Sequence, residues 1–153
     1  MTVLRAARET DLPSLAALER AIFSWGADEA LLRRMLSDGR HEFLIAETDG
    51  VLAGYGWYEF VLDEGYVGNL AVAEEHRRRG LGKALTRALL DDARDRGLVF
   101  LTLEVRESNL PARRLYEKAG FRTVGIRKNY YERPRENAVL MTVSLSREAE
   151  PIC

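Results

Sequence analysis

A single cysteine, Cys153, occurs in the 153 residues, so an internal disulfide has no second thiol to form with. It lies at the chain's end, where segments commonly fray. No apolar run approaches the roughly 20 residues a helix needs to cross a bilayer. The opening MTVLRAARETDL lacks the apolar stretch of a secretory signal. The expectation is a cytoplasmic protein without membrane association. Two common phosphate motifs are also missing. A P-loop needs G-x-x-x-x-G-K-[ST], but Lys83 is followed by Ala84 and no glycine stands five residues before Gly82. A dinucleotide fingerprint needs a third glycine that is not there. No repeated basic–aromatic pattern surrounds Arg77, Arg78 and Arg79, so nucleic acid is not an expected partner. There is no internal repeat, linker or low-complexity segment.

What is present is the composition of a soluble globular chain, 46% hydrophobic and 31% charged, long enough for one domain over residues 1–153 with a real core. The net charge of −1 conceals an asymmetry. Residues 1–76 hold 6 Arg/Lys and 14 Asp/Glu, residues 77–153 hold 17 and 10. Either the basic half faces a polyanionic cofactor while the acidic half attracts a cationic substrate, or the charges intermix on folding.

Residues 68–90, GNLAVAEEHRRRGLGKALTRALL, organise the chain. An apolar strand-like run ends at Val72, a polar bend covers 73–76, and RRRGLGK (77–83) opens a helix. The first four N–H groups of a helix have no internal partner, and its dipole adds positive potential at that end. Gly80 and Gly82 are expected to remove the Cβ atoms that would hold a phosphate away. The stretch is either a seat for a phosphorylated cofactor or a solvated basic turn at the start of an ordinary helix.

Around it, residues 2–7 are β-like. Thr10 or Asp11 is expected to cap a helix that carries Pro13 in its first turn and sets Leu12, Leu15, Leu18 and Ile22 at helical spacing. A second helix from near Asp28 is expected to bury Leu31, Leu32, Met35 and Leu36 and to stop at Gly39. In the joint, Phe23 and Trp25 are core plugs or walls of a substrate groove. Residues 43–47 and 51–62 read as strands about an Asp49-Gly50 turn, and 66–72 as the strand feeding the central helix, which ends at Gly97. Val99, Leu101, Leu103 and Val105 alternate with Phe100, Thr102, Glu104 and Arg106, and the strand–helix–strand unit implies parallel strands. Asn109 or Ser108 caps a helix with Pro111 in its first turn, closed by Gly120. Residues 121–126 and 138–145 are the last strands, joined by a basic aromatic loop, RKNYYERPREN. The order β-α-α-β-β-β-α-β-α-β-β predicts an α/β fold on a mixed α+β sheet with helices on both faces.

The stretches LEVRESN (103–109) and LYEKAGF (115–121), with R-x-x-G-x-G at Arg77, Gly80 and Gly82, resemble the GCN5-related N-acetyltransferase (GNAT) family along nearly the whole chain. More narrowly, the succession NLAV, RRRGLGKAL, LEVRESN, RRLYEKAGF and RKNYYERPREN-AVLM looks like the bacterial ribosomal-protein-alanine N-acetyltransferases, the RimI type. The resemblance implies the acyl-coenzyme-A N-acyltransferase fold, acetyl-coenzyme A as cosubstrate and no metal. On it, Arg77, Arg78, Arg79, Gly80, Leu81, Gly82 and Lys83 would hold the pyrophosphate, with Asn109 a further cofactor contact or simply a helix cap. The backbone of Leu70, Ala71 and Val72 would pair with the pantetheine arm, and the Leu70 N–H would steady an oxyanion. Tyr130 and Tyr131 would frame the incoming peptide N-terminus, or pack on the sheet.

The resemblance also makes Glu104 the base and Tyr116 the acid. An α-amine has a pKa of roughly 7.7 to 8, so a carboxylate suffices to take its proton. Glu104 lies near the C-terminal end of its strand, where parallel sheets present ligands. Otherwise it is a surface carboxylate paired with Arg106 or Arg77. A phenol of pKa about 10 can protonate a thiolate whose conjugate acid lies near 8.5, given hydrogen-bond reach. Otherwise Tyr116 is an ordinary stripe residue. Two departures fall on the peptide side. Asn137-Ala138, with Glu136 one place earlier, replaces the subgroup's acidic residue, and Phe23-Ser24-Trp25-Gly26 stands where a Pro-Trp pair is commoner.

Three functions remain at this point. The first is acetyl transfer to a protein N-terminal α-amine, that of alanine on a bS18-like ribosomal protein, by a monomer. The second is lysine or small-amine acetylation, which must contend with an acceptor pKa near 10.4. The third is a non-catalytic acyl-coenzyme-A-binding module.

Overall fold

The computed structural model describes residues 1–23 and 26–145; Trp25 and Cys153, singled out above, lie outside them. In chain order come β1 (Thr2–Ala6), α1 (Leu12–Ile22), α2 (Glu29–Ser37), β2 (His41–Thr48), β3 (Val51–Val61), β4 (Glu64–Val72), α3 (Leu81–Arg96), β5 (Phe100–Arg106), α4 (Leu110–Lys118), β6 (Arg122–Tyr131) and β7 (Glu136–Ser144). The strands form one sheet ordered β1-β2-β3-β4-β5-β7-β6. Its pairs are antiparallel except β4 with β5, the parallel pair expected from the crossover through α3. α1 and α2 cover one face, around Leu12, Leu15, Leu32, Ile45 and Tyr55. α3 and α4 cover the other, around Leu85, Leu89, Leu101, Leu103 and Met141. Arg96 meets Glu42 at 2.6 Å, so the basic and acidic halves of the chain touch there.

β4 does most to create a site. It pairs with β5 only through Glu64, Gly65 and Tyr66. Beyond Tyr66 the two strands part. On its other edge β4 stays with β3, but Val67 opposes Tyr58 while Leu70 opposes Gly56, so β4 carries one extra residue. Such a bulge bends its strand and re-aims the side chains that follow. Val67, Leu70 and Val72 therefore all lie against the α3–α4 layer, whereas Ala71 lies against the α1–α2 layer. Gly68 sits inside this bulge. A Cβ there would come within 2.2 Å of ring carbons of Trp57. Gly68→Ala is expected to cost about 1–3 kcal/mol through overpacking, read as a lower urea midpoint at unchanged m; an unchanged midpoint would show that Trp57 simply moves aside.

Several local expectations need correction. Asp11 does not cap α1: Arg5 holds its carboxylate at 2.7 and 2.8 Å, the Arg8 N–H donates to it at 2.7 Å, and a 3₁₀ turn over Glu9–Asp11 precedes the helix. α2 fully buries Leu32 alone, with Leu31 on its exposed side, because nine residues present only a narrow stripe to the sheet. Val99 lies outside β5 and is exposed. The supposed loop over 127–137 is mostly strand. β6 continues to Tyr131, which pairs with Glu136, and Tyr130 and Tyr131 are therefore strand residues. The ladder survives an irregularity between Arg127 and Tyr131, where Asn129 has φ 54° and its N–H donates to the Asn137 side chain at 3.0 Å. A side chain takes up a backbone donor there, which no apolar pattern announces.

Candidate active site

At the C-terminal end of β4, Arg77 Nε donates to the Val72 carbonyl at 3.1 Å and fastens the turn to the strand. Arg78 (φ 65°) and Gly80 (φ 77°) are both left-handed. Backbone alternating in this way turns successive N–H groups into a concavity suited to anions. Among the described residues no side chain caps α3 at Gly80, leaving its first N–H groups and the dipole's positive end facing outward. Arg78, Arg79, Gly80 and Lys83 are exposed beside them, and Leu81 is buried beneath. The glycines differ in their reason. Gly80 supplies the left-handed angle, and no protein atom lies within 4 Å of a Cβ built on it. At Gly82 a Cβ would make an ordinary 3.4 Å contact with Leu115, so packing alone does not demand glycine. A cavity of about 230 Å³ continues from Lys83 between α3 and α4, with Arg87, Arg94 and Lys118 around Leu90 and Leu115. Asn109 caps α4, accepting from the Ala112 N–H at 3.3 Å.

Between the cradle and β5 lies the gap opened by the bulge. Leu70, Ala71 and Val72 pair with Gly56, Tyr55 and Gly54 of β3 on one edge only. Their other edge faces β5; there Arg77 already takes the Val72 carbonyl, and the Leu70 backbone N–H and C=O, which have no partner in the β4–β5 ladder among the described residues, remain for an extended ligand.

Glu104 stands on β5 opposite Leu140 of β7. Because Leu103 and Val105 enter the α3–α4 layer, alternation places Glu104 on the opposite, α1–α2 face. Its partner is neither Arg106 nor Arg77. Arg127 Nε lies 3.3 Å from its carboxylate, with Glu104 19% and Arg127 55% exposed. The Tyr130 hydroxyl is directed at the same carboxylate, which raises that phenol's pKa. Arg106 is occupied elsewhere. It lies 4.4 Å over the Tyr131 ring, donates to the carbonyls of Pro134 (3.0 Å) and Glu132 (3.2 Å), and pairs with Glu136 at 3.3 Å. Glu136 also accepts the Ser108 N–H at 2.5 Å. Hydrogen bonding from Ser108, then Arg106, keeps its carboxyl below the usual range. The acidic residue displaced by one position is thus a latch that fastens the β6–β7 hairpin to the end of β5. The latch presents Tyr130 and Tyr131, edge to face at 5.0 Å.

Tyr116 approaches from the other side of the sheet. It is 9% exposed and packs edge-on against Phe121 at 5.5 Å. Burial, and then the nearness of Tyr131, pushes its phenol up to about 12. Burial followed by Glu104 does the same for Tyr131, also to about 12. Among the described residues no group hydrogen-bonds the Tyr116 hydroxyl, which leaves its proton available.

The sequence reading missed Glu19 and Arg127. Glu19, on α1, is 1% exposed. It sits four residues after Leu15 and three before Ile22, so a carboxylate on the apolar stripe was the available signal. Arg127, taken as loop, carried none. Among the described residues no cluster of three or more His, Cys, Asp or Glu is placed to hold a metal, and no helix is long and apolar enough to cross a membrane.

Known proteins resemble this chain in sequence and fold. The profile of the acetyltransferase (GNAT) family matches residues 12–121. The ribosomal protein bS18-alanine N-acetyltransferase of Escherichia coli strain K12 is 34% identical over 148 residues, covering 95% of this chain and 99% of that one. The crystal structure of the ribosomal-protein-S18-alanine N-acetyltransferase from Escherichia coli superposes with a TM-score of 0.89 at 33% identity, covering 100% of this chain and 99% of that one. Ard1 from Thermoplasma volcanium superposes at 0.82 with 26% identity, over 94% and 97% of the two chains.

Proposed function

The chain belongs to the acetyltransferase (GNAT) family of N-acetyltransferases, whose acetyl donor is acetyl-coenzyme A, and we propose that its acceptor is a protein N-terminal α-amine, the alanine of a bS18-like ribosomal protein. The observation that carries this reading is the placement of Glu104 where β4 and β5 part, beneath two tyrosines held by the Arg106–Glu136 latch. That leaves an opening suited to a slender chain end. The E. coli relatives, similar over almost their whole length, act on such a terminus by name.

Acetyl-coenzyme A supplies a thioester acyl group. The turn from Arg77 to Lys83, with its uncapped N–H groups and exposed cations, fits a diphosphate, and Asn109, the cap of α4, would be a further contact to the cofactor. The free β4 edge at Leu70, Ala71 and Val72 fits an amide-bearing arm. The acceptor nitrogen bonds to the acyl carbon while the carbon–sulfur bond breaks. Glu104 takes the proton the nitrogen loses, Leu70 N–H steadies the carbonyl oxygen as it gains charge, and Tyr116 gives a proton to the departing sulfur.

A peptide beginning with alanine and carrying an internal lysine, incubated with labelled acetyl-coenzyme A, separates the two acceptor chemistries by mass spectrometry. Label on the terminal nitrogen is expected. Label on lysine Nζ overturns the α-amine reading. Small-subunit ribosomal proteins offered together should be labelled on one N-terminal alanine; labelling of other proteins in preference overturns the ribosomal reading.

A further inference from the structure

Glu19 is the buried ionisable group for which the chemistry above has no use. Its Oε1 accepts from the Tyr55 hydroxyl of β3 and from Asn69 Nδ2 of β4 at 2.9 Å, and its Oε2 accepts from the Ala27 N–H at 3.1 Å. Its backbone is engaged as well. The Glu19 carbonyl accepts from the Phe23 N–H at 2.8 Å, and Gly26 packs so closely that a Cβ there would lie 2.8 Å from Glu19 backbone atoms. One side chain therefore ties the α1–α2 joint to β3 and to the residue that precedes the free edge at Leu70. Burying a carboxylate is costly, and the three donors that meet Glu19 offset that cost. What the carboxylate adds is a fixed position for the joint.

That position is on the acceptor's side. Ala71 lies in the α1–α2 layer, and Asn69, two residues earlier and bonded to Glu19 of α1, shares its face. Glu104 lies on the same face across the gap. We propose that Glu19 is a positioning residue for the acceptor: by pinning the joint at Gly26 and Ala27 to β4, it sets one wall of the groove whose other wall is Tyr130 and Tyr131. This rests on the reading that the acceptor enters on the Glu104 face.

Glu19→Gln keeps the size of the side chain but loses one acceptor oxygen. Gly26→Ala keeps the carboxylate but forces the joint away from the Glu19 backbone, and with it the Ala27 N–H. Both are expected to raise the acceptor KM about tenfold, with kcat and the acetyl-coenzyme A Kd within about twofold and a folded circular dichroism spectrum at the assay temperature. Should Glu19→Gln fail to fold, Tyr55→Phe, which removes a single donor, is expected to move KM the same way by a smaller factor. Unchanged KM in the folded variants overturns the proposal. So does a fall in kcat or in cofactor affinity at constant KM, or a loss of activity that merely follows the unfolded fraction. The measurement uses whichever acceptor the wild type modifies in the mixed peptide, so an error in the α-amine reading appears in the wild type and an error about Glu19 only in the variants.

Discussion

Glu104→Gln is expected to lower kcat at neutral pH by about 10²-fold while leaving the acetyl-coenzyme A Kd within about twofold. The substitution is nearly isosteric and lies on β5, not on the turn from Arg77 to Lys83. Arg127 loses its ionic partner but is more than half exposed, so its charge stays hydrated and the fold loses little, as for most surface pairs. The informative quantity is the pH dependence. An α-amine of pKa near 8 is mostly protonated at pH 7, and without a carboxylate the proton must leave to water. As pH rises towards 9.5, free amine and hydroxide take over that task, and the deficit should shrink. A deficit that stays constant across the range assigns Glu104 an orienting role, and no deficit removes it from the chemistry.

Tyr116→Phe is expected to lower kcat by about 10- to 10²-fold at unchanged acceptor KM. The ring remains packed on Phe121, and the hydroxyl has no protein partner to lose among the described residues, so stability should hardly move. At about 12 the phenol is a weaker acid than in water. The dry surroundings responsible also raise the pKa of a thiol formed beside it, so the proton can still pass to sulfur. Because its pKa lies above the ordinary value, the phenol stays protonated through the working range, and the wild-type rate should show no alkaline fall below about pH 10 from this group. The check is a series of acetyl thioesters with progressively more acidic thiols. The variant's deficit should narrow as the leaving group needs less help, and a deficit independent of the thiol would remove the acid role.

The motifs that were legible are those whose chemistry is local. A strand, a basic glycine turn and a helix occupy about twenty consecutive residues, so the geometry of the turn from Arg77 to Lys83 at the head of α3 could be read from propensity and helix-end signals alone. Alternation along 100–106 assigned Glu104 and Leu103 to opposite faces, and the Pro111 and Asn109 signals located α4. The same periodicities, in order, specified a mixed sheet with helices on both sides. Hairpin length was less legible: β6 runs past Asn129, whose N–H Asn137 accepts from eight residues away.

Tertiary structure decided the relations between distant segments. That β4 leaves β5 after Tyr66 depends on a bulge packed under Trp57. That Glu104 is paired with Arg127, and that Glu136 latches the tyrosines through Arg106, depends on which strands became neighbours. Glu19 was only a mismatched letter in an apolar stripe until Tyr55, Asn69 and Ala27 surrounded it. The amino-acid order by itself determined most of the elements, the glycine-bearing basic turn and the places of the candidate carboxylate and phenol along them, because each rests on neighbours in the chain. The gap between β4 and β5 and the partners of each carboxylate were decided only by folding, because burial and ion pairing are properties of whichever residues meet in space.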